Sequence, residues 1–198
     1  ALLVQPLFYI GAQFANLDML VAGCISATIV LFAHAALCIE TAKPHKPALA
    51  LAFAMAAAGV LAKGLIGIVL PVMVLLPWLL LRKRWRVLLA LVWLPGLLLF
   101  VVIAAPWFVA MQARFPEFLN YFFVVQHFKR FAEGGFNNVQ PFWFYPAVLA
   151  LFSLPWLPWL RGAISRGLAQ GSADKATAGA VRLLMWLWLG AVTAFFSL

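Results

Sequence analysis

Apolar residues run along this chain in long blocks separated by short polar stretches, and that pattern predicts helices that cross a membrane. The blocks fall near 1–14, 19–39, 48–62, 65–81, 87–105 and 146–160, and a seventh begins near Leu183 and continues to Leu198. Met19–Ile39 and Val87–Ala105 are each about 20 residues, the length that spans a ~30 Å hydrocarbon core. Ala48–Ala62 is short for a full span, so it is expected to tilt or to continue past Lys63. The fold class that follows is all-α: one multi-pass transmembrane helical bundle over residues 1–198, with an interfacial juxtamembrane helix on the non-cytoplasmic side. No internal repeat is visible.

Composition agrees with the pattern. Hydrophobic residues make up 67% of the 198 and charged residues 10%, against the roughly 25% charged of a soluble domain. The net charge of +9 changes the picture by its distribution. Alternate connections lie on one side of a membrane, which groups Glu40–Pro47, Arg82–Arg86 and Arg161–Arg182. These hold ten of the fourteen Lys and Arg, so the positive-inside rule makes them cytoplasmic. The basic excess therefore reports cytoplasmic loops and anionic lipid headgroups, and nucleic acid is not an expected partner. Asp18, Lys63 and the loop 106–145 fall on the opposite face, which gathers there the polar residues that topology explains least.

Cys24 and Cys38 lie 14 residues apart on one predicted helix, about 21 Å at ~1.5 Å per residue, too far for a disulfide. The chain opens Ala1-Leu2-Leu3-Val4 with neither an initiator Met nor a basic leader, and it ends within an apolar run. It is expected to be an internal fragment, inactive as cut.

Asp18, in Asn16-Leu17-Asp18-Met19, stands where a span begins. It suits an N-cap, and a capped carboxylate at the mouth of a cavity can also bind a sugar hydroxyl or a metal. Lys63, in Ala62-Lys63-Gly64-Leu65, is the lone charge between two apolar runs. An ionisable residue there either snorkels to the interface or serves a function, and the neighbouring glycines allow a phosphate to approach backbone N–H groups. Arg114–Phe131 reads as an interfacial helix with Pro116 in its first turn. Glu117, Asn120, His127 and Arg130 form its polar stripe, and Phe118, Leu119, Phe122 and Val125 its apolar face. His127, Lys129 and Arg130 crowd one end, either as a lipid anchor or as a site. Pro141–Pro146, with Trp143 and Tyr145, is an aromatic belt or the wall of a cavity. Glu133–Gln140 is polar and glycine-containing enough to act as a lid.

Taken in order, Ala62-Lys63-Gly64, Val69-Leu70-Pro71, Pro106-Trp107-Phe108, Phe115-Pro116-Glu117-Phe118-Leu119, Tyr121-Phe122-Phe123, His127-Phe128-Lys129-Arg130-Phe131 and Pro141-Phe142-Trp143-Phe144-Tyr145 resemble a family. The chain is similar, over essentially its whole length, to the bacterial lipid A 4-amino-4-deoxy-L-arabinose transferases and the related protein O-mannosyltransferases, which are C-type membrane glycosyltransferases. The resemblance implies transfer of a sugar from a polyprenyl-phosphate donor to lipid A or protein, with inversion, at the periplasmic face of the bacterial inner membrane. It implies that Lys63 and Arg130, with Lys129, neutralise the donor phosphate. Asp18 matches a conserved acidic position, Tyr145 and Trp143 line the donor cavity, and His127 helps bind a divalent metal.

Two departures stand out. The family's leading carboxylates fall before Ala1, which places the main catalytic base outside this sequence, and Gln126 stands where a glutamate often precedes the histidine. The runner-up class is a transporter or flippase for a lipid-linked or anionic substrate, which would place ionisable groups and broken helices near the midplane. A scaffold reading is third, with Lys63 snorkelling and the basic helix touching lipid.

Overall fold

The computed structural model describes residues 17–129, 141, 143–153 and 175–197. Seven α-helices and one π-helix follow one another: α1 Leu17–Glu40, α2 Lys46–Lys63, α3 Ile66–Leu81, α4 Trp85–Leu91, α5 Leu94–Arg114, π1 Asn120–Lys129, α6 Phe144–Ser153 and α7 Lys175–Ser197. Among the described residues, α1, α2, α5 and α7 are long and apolar enough to cross a membrane. The predicted span 1–14 and the stretch 154–160 lie outside the described residues.

The bundle is built on α1, α2 and α3, which pack pairwise, with α5 against α2 and α7 against α3. Ile29, Leu49, Val74, Trp78 and Leu79 are fully buried at its centre. Small residues let the backbones approach where lipid supplies no hydrophobic drive between helices. Ala33, Ala35 and Ala36 of α1 and Ala52, Ala56 and Ala57 of α2 are buried in this way. α2 and α3 cross closely at Gly59 and Gly67, where a Cβ on Gly67 would stand 2.6 Å from the Gly59 carbonyl carbon and 2.7 Å from the Val60 nitrogen. The turn before it needs Gly64, whose φ is 81° and whose N–H bonds Val60 O at 2.8 Å.

Four boundaries differ from the pattern-based expectation. The span expected at 87–105 is two helices, parted at Val92–Trp93. Pro95 is the cause: it has no N–H to give, and its ring would meet the carbonyl four residues back, at Leu91, where α4 stops. α5 then runs through Pro106 to Arg114, so the loop expected from Pro106 begins at Phe115. The interfacial helix expected from Arg114 opens instead with a turn at Pro116 and Glu117, and Asn120–Lys129 winds as a π-helix. Its i→i+5 bonding moves the faces away from the spacing of three and seven that defined the polar stripe. The last helix starts at Lys175, eight residues before Leu183, because the polar Lys175–Gly179 stretch continues the helix beyond the apolar run.

One end of the bundle is basic and ordered. Arg82 Nη2 donates to Glu40 Oε2 at 2.8 Å, its guanidinium lies 4.7 Å over the Trp78 ring, and Arg84 Nε is 3.8 Å from Glu40 Oε1. Trp78 Nε1 donates to Ala180 O at 2.8 Å, which ties α7 to α3.

Candidate functional site

The opposite end carries two of the sequence-predicted candidates, Asp18 and Lys63. Asp18 lies in the first turn of α1, where the helix N-terminus favours a carboxylate, and Lys63 is the last residue of α2. Because α1 and α2 are antiparallel neighbours, residues 45 positions apart meet: Lys63 Nζ donates to Asp18 Oδ1. Both side chains are about half exposed, at 50% and 51%, so water screens the pair and its contribution to stability stays below about 1 kcal/mol. It holds a cation and a carboxylate side by side at the mouth of the bundle, where each can exchange its partner for a ligand.

α5 reaches the same end. Gly96 packs on Phe53, so α2 and α5 rise together, and Pro106 comes level with Lys63. The eight further residues to Arg114 carry α5 about 12 Å past that level, at ~1.5 Å per residue. On those last turns Trp107 and Phe108 meet Phe118, Phe122 and Phe123. Ring centroids lie 5.4 Å apart for Trp107–Phe118, 5.4 Å for Phe108–Phe122 and 5.9 Å for Phe108–Phe123. Edge-to-face and offset contacts of this kind add about 0.5–1.5 kcal/mol each beyond burial. They fasten π1 to the end of α5.

A residue the motif reading passed over completes the brace. Gln112 Nε2 donates to Pro116 O at 2.5 Å, and its Oε1 accepts the Leu119 N–H at 2.9 Å. Both ends of one amide thus fix the turn from which π1 starts. The available signal was a lone amide near the end of an apolar helix, four residues before a proline.

π1 places the backbone of His127 and Lys129 at this end, and their side chains lie outside the described residues, as does all of Arg130. Trp143 is described and is 56% exposed, just before α6. Tyr145 belongs to α6, with its side chain outside the description. The structure therefore brings Asp18 and Lys63 together, and π1 follows from the end of α5 on the same side of the bundle. No group of three His, Cys, Asp or Glu gathers among the described residues.

Comparison with known proteins decides the family. Residues 1–122 match the profile of dolichyl-phosphate-mannose-protein mannosyltransferases. The chain belongs to that family. It is also 34% identical over 140 residues to the undecaprenyl phosphate-alpha-4-amino-4-deoxy-L-arabinose arabinosyl transferase of Erwinia tasmaniensis, a match covering 71% of this chain and 24% of that protein. The Pseudomonas aeruginosa protein of the same name is 38% identical over 143 residues, with the same coverage. The chain thus spans about a quarter of the length of these relatives. Its fold matches the apo crystal structure of ArnT from Cupriavidus metallidurans with a TM-score of 0.74 and 26% identity, over 99% of this chain and 34% of that one. An all-α, multi-pass membrane protein of this family is what the helices describe.

Proposed function

We propose that a full-length enzyme carrying this sequence transfers a sugar from a polyprenyl-phosphate donor to lipid A, with protein as the alternative acceptor. The proposed reaction face is the periplasmic side of the bacterial inner membrane. The observation that carries the reading is the Asp18–Lys63 pair, half exposed at the bundle end opposite the basic cluster, in a chain whose relatives are named as arabinosyl transferases. In this proposal Lys63 turns from Asp18 to the donor phosphate, joined by Arg130 and Lys129. The acceptor oxygen attacks the anomeric carbon as the bond to the phosphate oxygen breaks, the lipid phosphate leaves with that electron pair, and a hydroxyl acceptor gives up its proton to a carboxylate base. Fixed positive charge lowers the barrier because negative charge grows on the phosphate in the transition state. Asp18, released from Lys63, accepts a hydrogen bond from the sugar or acceptor, and Trp143 and Tyr145 wall the donor cavity.

The test is transfer of radiolabelled sugar from a polyprenyl-phosphate donor to lipid A or a peptide. Retained transfer in both Lys63→Ala and Arg130→Ala would remove the phosphate assignment. In this proposal His127 is one ligand of a divalent metal. His127→Ala should then make transfer more sensitive to added chelator, and an unchanged chelator response removes that role. The transporter reading gains no support at the α4–α5 break, where the cavity wall is apolar and includes no ionisable side chain among the described residues.

A further inference from the structure

The α4–α5 break opens an apolar cavity of about 340 Å³ between α1, α2, α3, α4 and α5. Phe32, Leu75, Leu79, Leu88, Leu91 and Leu97 are among the residues that line it. It lies within the membrane-spanning part of the bundle and is open on one side. At its lower end α4 begins, and α4 starts directly from the basic turn. Arg84 is the N-cap of α4, and the Leu88 N–H bonds Arg84 O at 3.1 Å, so Arg84 stands about one helical turn, ~5 Å, below the Leu88 that lines the cavity.

Among the described residues of this end, Arg82, Lys83, Arg84 and Arg86 cluster in one turn with a single carboxylate, Glu40, which Arg82 engages at 2.8 Å while stacked on Trp78. Arg84 approaches Glu40 only at 3.8 Å and is 54% exposed, and Lys83 and Arg86 are exposed beside it. A free phosphate would use these cations and leave the cavity empty, whereas a neutral alkyl chain would fill the cavity and ignore the cations. One molecule with both parts matches both features.

We infer that this end of the bundle holds an anionic phospholipid, with its phosphate at Arg84 and an acyl chain in the cavity beneath Leu88 and Leu91. The site stands at the opposite end from Lys63 and does not depend on the sugar-transfer reading. Its other end reaches Gly67 and Ile68, next to the Lys63 turn, so the polyprenyl donor is the occupant to be told apart.

Native mass spectrometry of the full-length protein in detergent tests the inference, with phosphatidylglycerol and phosphatidylcholine of identical chains as probes. Phosphatidylglycerol should be retained preferentially. Arg84→Gln should weaken that retention about fivefold, the worth of one cation near an anionic headgroup. Leu88→Trp should reduce retention of both lipids by filling the cavity. Because Arg84 is exposed, Arg84→Gln should leave the melting temperature unchanged, and it decides the matter even if Leu88→Trp misfolds. Equal retention of the two lipids would overturn the inference, and so would no response to Arg84→Gln. Absence of any retained lipid would show that the protein's own segments fill the cavity. Displacement of phosphatidylglycerol by undecaprenyl phosphate would give the cavity to the donor. Either result would also overturn it.

Discussion

Lys63 stands out in the sequence because a charge between two apolar runs is costly, and its partner Asp18 stands out for a separate reason, at a helix start. That they form one pair follows from the antiparallel packing of α1 and α2, which no local pattern contains. The pair separates stability from chemistry. Since it is half exposed, Lys63→Ala should shift the melting temperature of the full-length protein little, with a cost below about 1 kcal/mol. Transfer should fall by about a hundredfold or more, the scale seen when one preorganised charge-stabilising donor is removed. A large loss of stability with proportionate loss of activity would instead make Lys63 structural. Gly67 behaves in the opposite way. A methyl group there meets backbone at 2.6 Å, so Gly67→Ala should destabilise by about 1–3 kcal/mol, read as a lowered melting temperature. Trp78→Phe should cost a similar amount, about 1–3 kcal/mol, because it removes the bond that ties α7 to α3 and leaves a void where the indole was fully buried.

At the scale of elements, hydrophobic runs place α1, α2 and α3 well, start α7 eight residues late, and mislead around prolines. Pro95 and Pro106 occur in the same apolar stretch, yet one breaks the helix and the other is carried inside it. The difference lies in what each can pack against. The α4–α5 break is held by Gly96 on Phe53, where a Cβ would lie 2.2 Å from the ring, while Pro106 is followed by the aromatic cluster that binds π1. The π-helical winding was not legible for a related reason, since spacing arguments assume an α-helix from the outset. The brace at Gln112 gives this element its own test. Gln112→Leu removes both amide bonds to the Pro116–Leu119 turn, so amide exchange across 115–125 should accelerate while exchange in α1–α3 stays as it was. Unchanged exchange in that segment would show that the aromatic contacts alone hold π1.

At the scale of the whole molecule, polarity is divided between two ends. Glu40, Arg82, Arg84 and the Trp78–Ala180 bond close one end, and Asp18, Lys63 and the start of π1 occupy the other. The loop count that put most basic residues on one side anticipated this division. It could not anticipate that Glu40 and Arg82 form a partly buried pair, which comes from α1 and α3 ending at the same level. The proposed orientation predicts that a cysteine at Arg84 reacts with a membrane-impermeant reagent only from the cytoplasmic side. A cysteine at exposed Tyr121 should react only from the periplasm, and the reverse pattern would invert the proposed topology.

The most direct test of the proposed role of the Lys63 end is sugar transfer by the full-length enzyme from a radiolabelled polyprenyl-phosphate donor to lipid A. It should be run with wild type, Lys63→Ala and Arg130→Ala at matched expression and melting temperature. The expected result is transfer by the wild type and its near-complete loss in both variants. Transfer at the wild-type rate in both would contradict it.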